Sequence, residues 1–215
     1  PDDFINPGIE KHNLIKANLN ARVNFGQKYL SRPDGKYNIS NDKFPTLFFG
    51  YEKGFAGNES KYNYDFIAAR VSYEQTLSNK GTFAFNLKSG KFFNADEISF
   101  VDYRHFNGNQ IIISSQNRYL NVFNLLPYYT HSTNDSYIET HIEHNFDGFI
   151  MNKIPLLNKL KSTLIVGYHQ LATPENKPYR EFSVGLDKLG FGKFKLLRLD
   201  YVRSYNGSSF GTDGI

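Results

Sequence analysis

The chain has 215 residues, with 25 Lys+Arg against 21 Asp+Glu, no Cys, no Trp, 20 Phe, 15 Tyr and 23 Asn. The missing Cys excludes a disulfide scaffold, a thiolate zinc site and a thiol nucleophile, and a mean hydropathy of −0.51 with no long apolar run excludes a membrane-spanning helix, which needs roughly 20 apolar residues. The +4 formal charge is dispersed among acids rather than gathered into the basic patch of a nucleic-acid binder, and 40% hydrophobic content with 16% aromatics is too apolar for disorder.

The first residues, Pro1-Asp2-Asp3-Phe4, lack the charged n-region and apolar h-region of a signal peptide. Their abrupt start reads as a piece of a longer precursor. Ile15, Ala17, Leu19, Ala21, Val23 and Phe25 then alternate with Lys16, Asn18, Asn20, Arg22 and Asn24. Strict period 2 over eleven residues predicts a strand with one apolar and one polar face. The pattern recurs at Ile67–Glu74 (polar Arg70, Ser72 and Glu74), Phe83–Lys88, Glu181–Asp187 and Leu197–Ser204 (polar Arg198 and Asp200). Less regular strands are predicted at Phe44–Lys53, Tyr119–Tyr129, Tyr137–Phe146 and Ser162–Leu171. Eight or nine strands result, several near the ten residues or so that a tilted strand needs to cross a bilayer.

Turn chemistry separates them at Arg32–Lys36, Ser78–Gly81, Asn134–Ser136, Thr173–Lys177 and Tyr205–Ser209, all rich in Gly, Pro, Asn, Asp or Ser. A helical turn or two is predicted only at Ile154–Leu160, where Pro155 suits a first helical position. No composition shift divides the chain, so residues 1–215 read as one segment. Alternation weakens over residues 92–118, which predicts a long connection or an inward-folded segment. The Ser78–Gly81 hairpin has the length of a periplasmic turn, but counting strands back from Tyr205–Ser209 puts it outside unless the long connection hides another crossing.

An alternating apolar face points into the core of a soluble sandwich or lipocalin-like binding module, or toward lipid in an outer-membrane barrel with a polar lumen. The polar faces carry Asn, Ser, Gly, Arg and Glu, a wet-lumen mixture. Aromatics fall at strand ends: Phe48, Phe49, Tyr51, Tyr62, Tyr64, Phe92, Phe93, Tyr128, Tyr129, Tyr201 and Tyr205. Rings at strand ends suit membrane–water interfaces, so Phe48, Tyr51, Tyr62, Tyr64, Phe92, Tyr128, Tyr129, Tyr201 and Tyr205 are expected there. The sequence is read as an all-β, antiparallel transmembrane β-barrel or the C-terminal portion of a larger one.

The ordered strings His105–Asn109, Leu125–Tyr129, Ser132–Asp135, His144–Gly148, Asn152–Leu160 and Leu197–Val202 resemble the C-terminal barrel region of a Bacteroidetes outer-membrane family. Its members carry an N-terminal carboxypeptidase-regulatory-like domain, and their function is unassigned. The resemblance spans roughly residues 100–205 and implies a Gram-negative outer-membrane barrel, a fragment here, whose remaining strands, surrounding lipid and other envelope proteins are its partners. It carries over no catalytic residue.

On the polar faces, Lys16, Arg22, Arg70, Glu74, Glu139, His141, Glu143, Glu181, Arg198 and Asp200 are expected to form a lumen network. Glu139, His141 and Glu143 share a strand face, which would also allow metal binding or proton transfer; His144 points the other way. A structural network is the preferred reading, with no metal and no cofactor. A lipid hydrolase using His131 with Ser132 or Asp135 is the enzymatic alternative, but adjacent His and Ser on one strand would face opposite ways. The expected role is non-catalytic: structure, solute passage or docking of envelope proteins.

Overall fold

The computed structural model describes residues 12–39, 43–57, 59–108, 120–155, 157–191 and 194–215. They form eleven strands: β1 (Leu14–Asn24), β2 (Lys28–Arg32), β3 (Gly35–Ile39), β4 (Thr46–Ala56), β5 (Tyr64–Thr76), β6 (Thr82–Phe93), β7 (Ser136–Asn145), β8 (Thr163–Ala172), β9 (Tyr179–Phe191), β10 (Phe194–Asn206) and β11 (Ser209–Gly214). Nine of these make one sheet in the order β1-β4-β5-β6-β7-β8-β9-β10-β11, and β2 with β3 is a separate hairpin inserted between β1 and β4. Every pairing is antiparallel. The sheet is open: β1 and β11 are its two edges and do not pair.

The strongly alternating segments all became strands, because period 2 is the period of the pleat itself. The strand expected at Tyr119–Tyr129 is not found over its described part; Tyr119 lies outside the described residues. Over 120–129 the chain makes turns, and Phe123 makes only an isolated bridge to Gly108. The amides of Asn124 and Leu125 donate to the Glu181 carboxylate at 2.7 and 2.8 Å, so neither is free for a ladder, and Pro127 has no N–H to offer. At Ile154–Leu160 the chain makes 3₁₀ turns at Met151–Lys153 and Leu157–Leu160, with Pro155 between them rather than inside a helix. Among the described residues five strands, each antiparallel to its neighbour, separate the 77–81 turn from the 207–208 turn. These two turns therefore lie at opposite ends of the sheet.

Between β6 and β7 the described residues 94–108 and 120–135 lie across one face of the sheet. Phe106, Phe123 and Leu126 pack with Tyr137, Leu171 and Tyr179 of the strands, and Phe66 borders the group. A second cluster joins Tyr64 and Phe92 to Ala95 and Ile98, again with Phe66 against it. Gly90 makes room for these rings, since a Cβ there would sit 2.6 Å from the Tyr137 ring and 2.8 Å from that of Phe66. A paired backbone bridge between Arg104 and Thr133 closes the connection on itself.

The joint between covering and sheet is Glu181, which is fully buried. Its carboxylate accepts the two amides named above and the Tyr179 hydroxyl at 2.7 Å. Replacing Glu181 by Ala strands both amides and is expected to destabilise the protein by about 3 kcal/mol or more, opening residues 94–135 to proteolysis. Glu181→Gln keeps one acceptor oxygen and should fall between the two. Equal protease resistance in all three proteins would contradict this role.

Candidate functional site

The registers carry the residues beneath the covering into cross-strand rows. One row runs Arg22, Phe48, Arg70, Lys88, Glu139, Leu171, Tyr179. The next runs Asn24, Thr46, Ser72, Asn86, His141, His169, Glu181, Ser204. The third holds Glu74, Ala84, Glu143, Gly167, Ser183 and Val202. Lys16 lies farther along the same face of β1, and Arg198 reaches Glu143 from β10 beside Asp200. All ten residues of the expected polar network therefore share the covered face.

The centre of this face is a continuous chain of bonds. Lys88 Nζ donates to Glu139 at 2.8 Å, and Glu139 holds His141 Nε2 at 2.7 Å. His141 Nδ1 is 2.8 Å from His169 Nδ1. An ionised Glu139 accepts the hydrogen bond from His141 Nε2–H, which leaves His141 Nδ1 as an acceptor and requires His169 to donate from its own Nδ1. Only one proton fits between the two Nδ1 atoms. Phe123 caps the pair, its ring 4.8 Å from that of His141. Alongside, the Arg198 guanidinium binds Glu143 at 3.0 Å and Asp200 at 2.7 and 2.9 Å. Such groups survive burial because each charge is paired and hydrogen-bonded.

His169, Lys88 and Asn124 were not singled out in the sequence, although Lys88 and His169 stand at polar positions of alternating strands. Only the register shows that residues 28 apart are opposite partners. Asn124 arrives on the covering segment, which has no periodicity to read. His144 is on the bare face, against Phe146 and Phe83. Among the described residues no three His, Asp or Glu side chains converge as a metal-binding group.

Of the aromatics expected at membrane interfaces, Phe48, Tyr62, Tyr64 and Phe92 are on the covered side. Phe48 lies beneath the Arg70 guanidinium at 3.7 Å, with Arg22 at 5.3 Å. Tyr62 stacks on His12 at 4.6 Å, and Tyr64 and Phe92 belong to the second cluster. Position near a strand end does not decide the face; numerical parity does, and 48, 64 and 92 share the parity of Arg70 and Lys88. Tyr51 and Tyr201 are on the bare face, their hydroxyls donating to Asp65 at 2.5 Å and Asp213 at 3.0 Å. Tyr205 contacts Phe182 on that face, and Tyr128 and Tyr129 are exposed in the covering segment.

Ser132 has a histidine partner, but it is His105, whose Nδ1 lies 2.7 Å from Ser132 Oγ. His131 Nδ1 instead meets Thr130 Oγ1 at 3.1 Å. Burial lowers the pKa of both His105 and His131 below the ordinary value of 6.5.

Strand order, covering segment and buried polar face together define an all-β protein built on a nine-stranded antiparallel meander. Residues 1–186 match the C-terminal domain of a family of unknown function, DUF5686, and the chain belongs to that family. No curated protein and no solved structure matches the chain.

The two depressed imidazoles fix a sign for pH dependence. The unfolded chain binds protons at His105 and His131 from about pH 6.5 downward, while the folded chain resists them, so the covering should lose stability as pH falls below 6.5. Urea midpoints at pH 7.5 and 5.0 are expected to differ less in the His105→Gln, His131→Gln double variant than in the parent. An identical pH response in both proteins would remove these two groups as the cause.

Proposed function

We propose that this chain forms the wall of an outer-membrane β-barrel in a Gram-negative bacterium. Its bare face meets lipid, and its covered face borders a lumen occupied by residues 94–108 and 120–135. The observation that carries this reading is an inverted distribution of side chains. On the bare face Leu19 is 71% exposed, Val184 52% and Ile138 51%, joined by Phe49, Ile67, Phe182 and Leu199. On the covered face Glu139, His141, Glu143, His169 and Glu181 are buried. A soluble sandwich or lipocalin-like module buries its apolar side chains and wets its polar ones; here the arrangement is reversed, as in a barrel whose outer solvent is hydrocarbon. An exposed apolar surface continuous over most of a nine-stranded sheet exceeds the isolated patches of soluble monomers. The resemblance to Bacteroidetes envelope proteins points to the same compartment.

The role is structural rather than catalytic. The covering fills the polar face with side chains, which suits a scaffold or a docking platform for other envelope proteins better than an open pore. In lipid the unpaired backbone groups along the β1 and β11 edges need partners, and further barrel strands are the occupants that chemistry supplies.

The Cys-free chain permits a direct test, because single cysteines can be introduced and spin-labelled without background. In bilayers, labels at 17, 19, 21 and 23 should be accessible to oxygen and shielded from a polar nickel reagent. Labels at 18, 20, 22 and 24 should show the opposite. The protein should also need detergent for extraction. Extraction into plain buffer, or labels without a period of 2, would overturn the reading.

A further inference from the structure

Arg70 and Lys88 are directly opposite each other on β5 and β6. Like charges facing across a strand pair are destabilising unless something lies between them. A third cation, Arg104, comes down from the covering segment onto Tyr137, two residues before Glu139 on the same face of β7. Arg104 is held in place by its two backbone bonds to Thr133, at 2.8 and 3.1 Å, and its guanidinium lies 5.5 Å over the Tyr137 ring. Glu139 is the one carboxylate that binds into this group, and it is shared between Lys88 and His141.

The two arginines lack acceptors. The Nε atoms of Arg70 and Arg104 are both buried without a hydrogen-bond partner. Elsewhere on this face arginine is treated differently, as the three bonds from Arg198 to Glu143 and Asp200 show. Buried guanidinium groups are normally paired, and two rigidly held forks beside an ammonium are the usual means of holding an oxyanion.

We propose that Arg70, Lys88 and Arg104 form a binding site for a phosphate-type oxyanion, between the covering segment and the sheet. Three cations against one carboxylate leave two positive charges uncompensated, the charge of a dianionic phosphoryl group. Both arginines are half-buried rather than sealed. Arg22, across the Phe48 ring from Arg70, extends the basic row toward β1.

The test uses the detergent-folded chain, with thermal unfolding followed by circular dichroism in inorganic phosphate or in chloride at equal ionic strength. Phosphate should raise the unfolding temperature of the parent, and Arg70→Met and Arg104→Gln should each weaken the response by about ten-fold in half-saturating concentration. Without phosphate, Arg70→Met should unfold no earlier than the parent, because it relieves the repulsion with Lys88. Arg70→Lys keeps the charge without the fork and should fall between. Arg203→Gln, which removes a cation stacked on Phe210 away from the cluster, should retain the full response. Glucose 6-phosphate distinguishes the source: stabilisation at lower concentration than inorganic phosphate assigns the site to a phosphorylated solute, and equal stabilisation assigns it to the free anion. Phosphate no better than chloride for the parent, or a full response in both arginine variants, would overturn the site.

Discussion

The carboxylate of Glu181 is the constraint on which the arrangement depends. From β9 it binds the backbone of residues 124 and 125, and it is the buried anion that fixes the covering to the sheet. Once the covering is down, the strands beneath it lose much of their water, and the buried carboxylates and imidazoles there find partners within the protein. The Lys88–Glu139–His141–His169 chain and the Glu143–Arg198–Asp200 cluster are the answers to that requirement. Breaking one member would leave a buried charge unmatched, which is far worse than never having placed it.

The two faces use different physics to hold their shape. The covered face is specified by directional bonds at fixed distances, so it defines one register for each strand pair. A slip of one residue between β6 and β7 would turn Glu139, His141 and Glu143 outward and bring Ile138 and Ile142 in. The bare face has no such fine specification. Its Leu, Val, Ile and Phe side chains are interchangeable in kind, which suits a fluid hydrocarbon surrounding more than a packed protein partner.

The legibility of this molecule in its sequence followed the same division. Strands, their faces and the shared side of all ten network residues could be read because alternation is a local property. The covering is legible only as a lapse of alternation, and its described portion partly resembles a strand: Tyr128 and Tyr129 beside Leu125 and Leu126 have the composition of one, but the Asn124 and Leu125 amides are taken by Glu181 and Pro127 has none. The rings expected at interfaces divide between the two faces for a different reason. Phe48, Tyr64 and Phe92 were placed by nearness to strand ends, when their parity with Arg70 and Lys88 already put them under the covering. His169 and the exchange of His131 for His105 as the partner of Ser132 depend on contacts 27 and 28 residues apart in sequence, beyond any local pattern.

The strand order carries one more consequence. In a meander of nine antiparallel strands the directions alternate, so β1 and β11, first and last in the order, run the same way. Joined directly to each other they would make a parallel seam in an otherwise antiparallel wall. Closure with antiparallel pairing throughout needs an even total, as in bacterial single-chain barrels, and so requires an odd number of additional strands between these two edges. The arithmetic of direction thus sets a condition on whatever completes the wall: a single strand or three would satisfy it, and a two-stranded hairpin would not.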